Sequence, residues 1–373
     1  MLEQKENNWN NNKIKFDLQE FNWYEFWLEK SKEIFPQITD LSQLHKVLKP
    51  FEINELAHKL QSLSLTTEFV NKLDNFCDTI CSFVDEEYMI QKAVNIRIVI
   101  PDQVKAGRLL TFHKDGWVGN GMGVKNIWVP ITKSFDTNSL QILTSDDSDI
   151  ISKKCLDERW SSDKLQEECK KVCTPLQIDT NEAFLFSSNN IHGNVNNDTD
   201  VTRVSMDFRI LIKGESFYRK LPAGYFRMKG DSFEELKPDL NRDWVTYAGW
   251  NSKHTKFIPA PLQRLFLNNY IKKLNIKSID YKFELEFMDW MPNLHDYVEQ
   301  KSIGGIVVYS LYSLPDDPFL RYKLLKSALD NDSHILFANE DIYFKDQKDL
   351  EKIKNIYQFY ENSESIVDTL GHI

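Results

Sequence analysis

The spacing of apolar residues changes twice along the chain, and those two changes divide its 373 residues into three kinds of structure. Up to about residue 88, apolar side chains recur at three- and four-residue steps: Leu41, Leu44, Leu48 and Phe51, then Phe69, Leu73, Phe76 and Ile80. That spacing lays one apolar stripe on a helix, and Pro36 and Pro50 punctuate it. At residues 94–100 the pattern changes to alternation, the period of a strand with one buried face, and it ends at Pro101. More β-rich runs follow at 126–131, 139–143, 183–186 and 203–212, with turn residues such as Asp115-Gly116 and Gly119-Asn120-Gly121 between them. The order predicts an antiparallel sandwich or barrel preceded by helices. A charged stretch at 145–171 interrupts the strands and reads as helical, placed to lie across the barrel mouth. Residues 219–243, rich in charge, Gly and Pro, read as a linker. From Trp244 strands alternate with helices, which predicts a small parallel α/β domain. Its central strand is the unbroken apolar run 303–309, as suits a strand covered on both faces. The expected organisation is therefore 1–90 helical, 91–218 a β core, 219–243 linker and 244–373 α/β. The Asn-rich first dozen residues are expected to be loose.

Composition removes several classes of function. With 46 Lys+Arg against 56 Asp+Glu, the formal charge is −10 and the pI about 5.4. Such a surface has no general affinity for nucleic acid or anionic lipid. No run approaches the ~20 apolar residues that span a bilayer; the longest, 303–314, contains two glycines and two serines. The start of the chain lacks a basic segment followed by an apolar one, so no signal peptide and a cytoplasmic location are expected. The five cysteines are odd in number, and Cys77/Cys81 and Cys169/Cys173 stand at helix-face spacing, which predicts reduced thiols.

The chemistry-bearing residues concentrate in the β-rich part. His113 and Asp115 are alternate residues, so on a strand they share a face, and His192 follows the apolar run Ala183-Phe-Leu-Phe. Two imidazoles and one carboxylate on one face of an octahedral ion leave three positions open. His-x-Asp alone also describes a solvated turn pair, so the downstream context matters. Arg203 and Ser205 alternate on the next strand, and a buried guanidinium beside a hydroxyl can grip a carboxylate.

The series His113-Lys-Asp115-Gly-Trp, Asn126-Ile-Trp-Val-Pro-Ile-Thr, Ser139-Leu-Gln-Ile-Leu, His192-Gly and Arg203-Val-Ser205-Met-Asp-Phe-Arg resembles the iron(II)/2-oxoglutarate-dependent dioxygenases over roughly residues 90–215. It looks most like their phytanoyl-CoA-hydroxylase-like branch, and within it is similar to oxygenases of sporadic carbohydrate clusters, bacterial loci for surface sugars. Residues from about 244 resemble a second small family of the same loci through Ile258-Pro, Leu262-Gln, the run from Gly304 to Pro318, and Leu336-Phe-Ala-Asn-Glu340. They depart from it at Tyr247-Ala-Gly-Trp-Asn-Ser, where that family has Tyr-x-x-Ser-Arg-Pro.

The resemblance implies a double-stranded β-helix (jelly-roll) with N-terminal helices, followed by the small α/β parallel-sheet domain. It implies Fe(II), 2-oxoglutarate and O2 as cofactor and cosubstrates, with His113, Asp115 and His192 as metal ligands. Arg203 and Ser205 would hold the distal carboxylate of 2-oxoglutarate, with Asn126 a further contact. A carboxylate at 115 favours hydroxylation over halogenation. Trp117, Arg97, Arg209 and Gln141 are the candidates for touching substrate; each has an ordinary rim, surface or packing role as its alternative. In the α/β domain, strand ends place Tyr309, Ser310, Ser313, Asn339 and Glu340 together. The implied partner is a small or sugar-linked molecule, with a homodimer left open. Two other classes compete: a His2Asp zinc hydrolase, and a sugar-binding or assembly protein without activity.

Overall fold

The computed structural model describes residues 12–102, 111–217, 219–231, 236–249, 258–284, 288, 290–300 and 303–370. The chain divides into two compact units, Met1–Phe233 with Phe359–Ile373, and Glu234–Gln358. Nearly all of the first dozen residues, and the stretch Trp250-Asn251-Ser252, lie outside the described residues.

In the first unit, strand β1 (Asn12–Lys15) precedes helices α1 (Trp23–Ile34), α2 (Leu44–Val47), α3 (Pro50–Leu63) and α4 (Thr67–Ile80). The starts of these helices are set locally. The Asn22 side chain accepts from the Glu25 amide, and the Thr66 hydroxyl accepts from the Phe69 amide. Pro50 sits where a helix needs no N–H donor, and Glu52 folds back to accept from the Lys49 amide at 2.7 Å. On α4 the stripe Phe69, Leu73, Phe76 and Ile80 is wholly buried.

The strands follow as β2 (Tyr88–Gln91), β3 (Asn95–Val99), β4 (Val124–Pro130), β5 (Gln141–Ile142), β6 (Thr174–Pro175), β7 (Glu182–Ser187), β8 (His192–Gly193), β9 (Arg203–Ile212) and β10 (Phe226–Met228). One seven-stranded sheet runs β1-β7-β4-β9-β2-β10 with β3 also on β9, and β6-β5-β8 form a second. Every pairing in both is antiparallel. The large sheet is apolar on both faces in different ways. Ile127, Val129, Leu185, Val204, Met206, Phe208 and Ile210 face the helices and join Trp23, Trp27, Leu56, Phe69 and Phe76 in one core. Trp128, Phe184 and Phe186 face the other way, onto Leu140, Ile142, Leu176 and Ile178. At ~1.5–3 kcal/mol per fully buried large apolar side chain, these two layers dominate the unit's stability.

Three features differ from the sequence expectation. The run 139–143 supplies only the two-residue β5, because Asp136–Asn138 form a 3-10 turn and Ser139 spends its hydroxyl on the Leu176 carbonyl. The charged insertion forms two helices, α5 (Ser145–Asp157) and α6 (Ser162–Val172), parted at Arg159, whose φ is +51°. The stretch read as linker contains β10, paired with β2, and Arg227 there is fully buried. Three residues flanked by turns give too short a pattern for periodicity to register.

In the second unit the elements are β11 (Trp244–Ala248), α7 (Ala260–Lys273), β12 (Ser278–Phe283), α8 (Pro292–Glu299), β13 (Gly305–Val308), α9 (Pro318–Asp330), β14 (His334–Phe337), β15 (Ile342–Phe344) and α10 (Gln347–Leu370). The sheet order is β12-β11-β13-β14-β15. Strands β12, β11, β13 and β14 are parallel, but the edge strand β15 is antiparallel, so the sheet is mixed rather than parallel throughout. Every residue of β13 is buried. A Cβ at Gly305 would stand 2.4 Å from the Trp244 ring on the neighbouring strand, so only glycine fits there. The chain enters this unit at Glu234 and leaves it within α10, at Phe359.

Among the described residues no helix is long and apolar enough to cross a membrane. All five cysteines are free, and burial pushes the thiols of Cys77, Cys81 and Cys169 up.

Arg227 on β10 donates to Asp74 on α4 at 2.6 Å, and Asp74 also accepts from the Gly230 amide at 2.8 Å. Removing one partner of such a pair strands the other charge in the interior. Asp74→Ala should lower the stability of the protein by about 3–5 kcal/mol in urea denaturation. A loss under about 1 kcal/mol would show that the pair does not anchor this strand.

Candidate metal centre

Two short backbone segments bring the ligands together. His113 and His192 exchange both backbone hydrogen bonds at 3.0 Å, so the loop that carries His113 is stitched to β8. A Cβ at Gly193 would lie 2.8 Å from the Phe112 Cα, so glycine is what permits the approach. Helix α6 fixes the same loop from outside: Gln166 accepts from the Phe112 amide at 2.6 Å and donates to its carbonyl at 3.0 Å. Helix α5 adds Asp149, which pairs with Lys114 at 3.0 Å. Asp115 opens the 3-10 turn Asp115–Val118, closed by Gly119 at φ +94°, and the Asn120 amide donates to the Asp115 carbonyl.

Ligand atoms of His113, Asp115 and His192 lie within 4.8 Å of one another. His113 Nδ1 bonds the Thr111 carbonyl at 2.8 Å, and His192 Nδ1 bonds the Asn190 carbonyl at 3.0 Å. A ring nitrogen that donates to a carbonyl leaves its Nε2 lone pair available to a metal. Burial pushes His192 down to about 4, so its imidazole is neutral at pH 7. Burial opposes the Asp115 charge, yet the Arg209 guanidinium, with His113 and His192, holds its carboxyl well below the usual carboxylate range. The centre is therefore two imidazoles, the His192 ring neutral, and one carboxylate, and an octahedral ion held by these three would keep three positions open. Such a set holds a divalent first-row transition ion.

Strand β9 builds the wall beside it. Val204, Met206, Phe208, Ile210 and Ile212 face the helices, and Arg203, Ser205, Asp207 and Arg209 alternate onto the other face. Arg97 on β3 is paired across from Ser205, and Asn126 on β4 across from Arg209. One cavity is lined by Arg97, His113, Asn126, Trp128, Leu140, Phe186, His192, Gly193, Asn194, Arg203, Asp207 and Arg209.

The polar groups on this face are unequally satisfied. Arg203 donates from Nη1 to Asn194 at 3.0 Å and lies over the Trp128 ring, but among the described residues its Nε has no partner. Neither the Ser205 hydroxyl nor either amide atom of Asn126 has one. Orphaned buried polar atoms are costly in a finished interior, and four of them converge from two adjacent strands, β4 and β9. They suit a ligand that carries oxygen atoms.

The remaining candidates separate. Arg209, read as a possible contact to substrate, is committed to protein: it donates to both Asp115 oxygens at 3.0–3.2 Å and to Asp207 at 2.7 Å. Gln141 points its amide at the Asp136 and Ser139 carbonyls and does not line the cavity. Trp117 is 46% exposed, in the turn after Asp115, and does not line the cavity either. In the second unit Ser310, Leu311 and Asn339 all donate to Glu340, a loop-capping set, while among the described residues the buried Ser313 hydroxyl has no partner. Sequence reasoning missed Asn194, Gln166 and the role of Asp207. Only Asp207 had left a signal, as the next alternate residue after Arg203 and Ser205.

No family model matches the chain. It is similar to the streptomycin biosynthesis protein StrG of Streptomyces griseus, with 31% identity over 129 residues, 34% of this chain and 48% of that protein. The chain thus spans about half the length of this curated relative. Among solved structures, it is similar to the non-heme monooxygenase ThoJ in its nickel complex, with 12% identity, 62% of this chain and 86% of that one covered, and a TM-score of 0.36. It is also similar to SnoN, a non-heme alpha ketoglutarate dependent epimerase from nogalamycin biosynthesis, with 8% identity, coverage of 62% and 87%, and a TM-score of 0.35. The N-terminal catalytic domain of TP901-1 integrase matches 33% of this chain and 98% of its own, at 16% identity and a TM-score of 0.27.

His113→Ala or His192→Ala should each abolish stoichiometric binding of Fe(II) or Co(II), followed by metal analysis after desalting. Circular dichroism should stay unchanged, because both apolar layers form without the ion. Stoichiometric metal in either variant would remove the assignment.

Proposed function

We propose that the first unit is a non-haem iron(II), 2-oxoglutarate-dependent oxygenase that hydroxylates a small molecule, in the narrower reading a carbohydrate or sugar-linked one. The observation that carries this is the pairing, in one cavity, of a two-His, one-carboxylate centre with an unfinished guanidinium, hydroxyl and amide. A hydrolytic zinc site needs only the first of these. The motif series at 113–115, 192 and 203–205, with its resemblance to this dioxygenase branch, supports the same reading. The biosynthetic setting in the name of StrG agrees with small-molecule chemistry.

The residues present fit both implied groups. His113, Asp115 and His192 would hold the iron, and Arg203, Ser205 and Asn126 the cosubstrate. Iron with 2-oxoglutarate and dioxygen supplies, when bound, an oxidant able to replace a C–H bond by C–OH, with succinate and CO2 as coproducts. The chain's own part is positioning. Arg203 offers a forked donor that matches a carboxylate, and Trp128 beneath it keeps the fork in plane. Phe186, edge-on to His192 at 5.0 Å between ring centres, keeps water from one side of the centre. Arg209 fixes the Asp115 carboxylate while leaving lone pairs for the ion. Loss of Arg209 would free the carboxylate to turn.

Arg203→Ala should weaken 2-oxoglutarate binding at least tenfold, since losing one partner of a buried charge-assisted contact costs ~2–5 kcal/mol and each ~1.4 kcal/mol is a decade. Metal affinity should hold. Calorimetry under argon, and succinate release with Fe(II) and ascorbate, read the two. Unchanged cosubstrate affinity would place the anchor elsewhere and undo the proposal.

A further inference from the structure

Among the described residues, Arg97 is the cavity arginine that the fold leaves both half used and partly exposed. Its Nε donates to Asp207 at 3.0 Å, and its side chain is 34% exposed. Among the described residues, no group meets its Nη1 or Nη2. The other two guanidiniums differ: Arg209 is spent on Asp115 and Asp207, and Arg203 is fully buried at the far end of the same strand face. Strand pairing sets Arg97 opposite Ser205, between the Arg203 end and the Arg209 end of that face.

The charge balance points the same way. Three guanidiniums, Arg97, Arg203 and Arg209, face two carboxylates, Asp115 and Asp207. Arg209 and Arg97 together offset Asp207 and Asp115. Once a divalent ion sits on Asp115, and a dianionic cosubstrate meets the ion and Arg203, the site carries about one positive charge in excess, and Arg97 is its only exposed bearer. A guanidinium pinned at Nε by a buried carboxylate is also preorganised. Its two Nη groups are fixed as a fork, so an oxyanion loses little side-chain entropy in pairing with it. Asp207 would stay held without Arg97, by Arg209 at 2.7 Å and by Asn95 at 2.8 Å. Arg97 is thus not needed to satisfy its partner, which separates it from a purely structural arginine.

We propose that Arg97 is the specificity-determining residue for substrate, a fork that binds an anionic group, carboxylate or phosphate monoester, and so orients an anionic substrate in the cavity that holds the metal centre. The apolar walls Trp128, Leu140 and Phe186 would take the body of the molecule beside that group. This deepens the oxygenase reading and rests on it for what happens next, but not for the binding itself.

Three probes with the same phenyl body test it: benzoate, phenyl phosphate and the neutral benzamide. Their binding is measured by calorimetry on the full chain loaded with Fe(II) and 2-oxoglutarate under argon. At least one anion should bind about tenfold or more tightly than benzamide, and Arg97→Gln should erase that preference, a difference of about 1.4 kcal/mol or more. Preference for phenyl phosphate assigns a phosphate monoester, and preference for benzoate a carboxylate. The Arg97→Gln affinity for 2-oxoglutarate should hold within about twofold. As a check on the unaltered protein, phenyl phosphate or benzoate should protect Arg97 from phenylglyoxal, read by peptide mapping, where benzamide does not. Equal binding of all three probes, or an anion preference that survives Arg97→Gln, would overturn the proposal. So would a tenfold loss of 2-oxoglutarate affinity in that variant, which would make Arg97 part of the cosubstrate anchor. If 2-oxoglutarate does not bind the unaltered protein at all, the oxygenase reading fails, and the anion comparison is still read on the metal-loaded chain.

Discussion

The Arg209 guanidinium, held between two buried carboxylates, is the contact on which the site depends. Asp115 and Asp207 reach it from a turn and from its own strand, at 3.0 and 2.7 Å. Two carboxylates this deep would repel each other and take up protons without a cation between them. With it, Asp115 lies below the usual carboxylate range, and Asp207 does too, against the cost of its burial, through Arg97 first and Arg209 second. A protonated Asp115 would be a poor ligand. The arginine therefore maintains the charge that a metal at this centre would require, and it does so from a strand rather than from a loop.

That strand is also where folding and chemistry meet. Alternation on β9 sends Val204, Met206, Phe208 and Ile210 into the core with the helices, and Arg203, Ser205, Asp207 and Arg209 into the cavity. A one-residue slip in its register would bury four charged or polar groups against tryptophans and expose the core to the cavity. Long pairings with β4, β2 and β3 resist such a slip. The energy that keeps the site in order is thus largely the hydrophobic burial on the opposite face. The loop bearing His113 and Asp115 is more local, and is fixed by Gln166, by the exchange with His192 and by the absence of a side chain at Gly193.

How much of this was legible in the sequence follows from the range of each interaction. Periodicity revealed the helical stripe Phe69 to Ile80 and the alternation on β3 and β9, because both patterns repeat over several residues. The spacing of Arg203 and Ser205 was readable for the same reason: alternate residues on a strand share a face. His113 and Asp115 meet by another route, for His113 lies in a loop bridged to β8 and Asp115 opens a 3-10 turn, so the strand expected there is absent. The partners of those residues were not. Nothing local to Arg209 says that it will spend its fork on a residue far earlier in the chain, and nothing local to Gln141 says that its amide will turn to nearby carbonyls. Two- and three-residue strands such as β8 and β10 exist because neighbours pair with them, so they carry no period of their own. In the second unit the antiparallel turn at β15 was missed because three residues after a tight turn at Asp341, φ +58°, give no pattern that separates a reversed edge strand from a loop.

The central claim is that iron and 2-oxoglutarate meet at His113, Asp115, His192 and Arg203. It is tested most directly by adding 2-oxoglutarate to the Fe(II)-loaded protein under argon and recording the visible spectrum. A keto acid that chelates iron(II) gives a metal-to-ligand charge-transfer band. The account predicts such a band in the unaltered protein, saturating at one equivalent of iron, and its absence from His192→Ala. A fully metal-loaded protein that shows no band at any concentration of 2-oxoglutarate, or a band of full strength in His192→Ala, would contradict it.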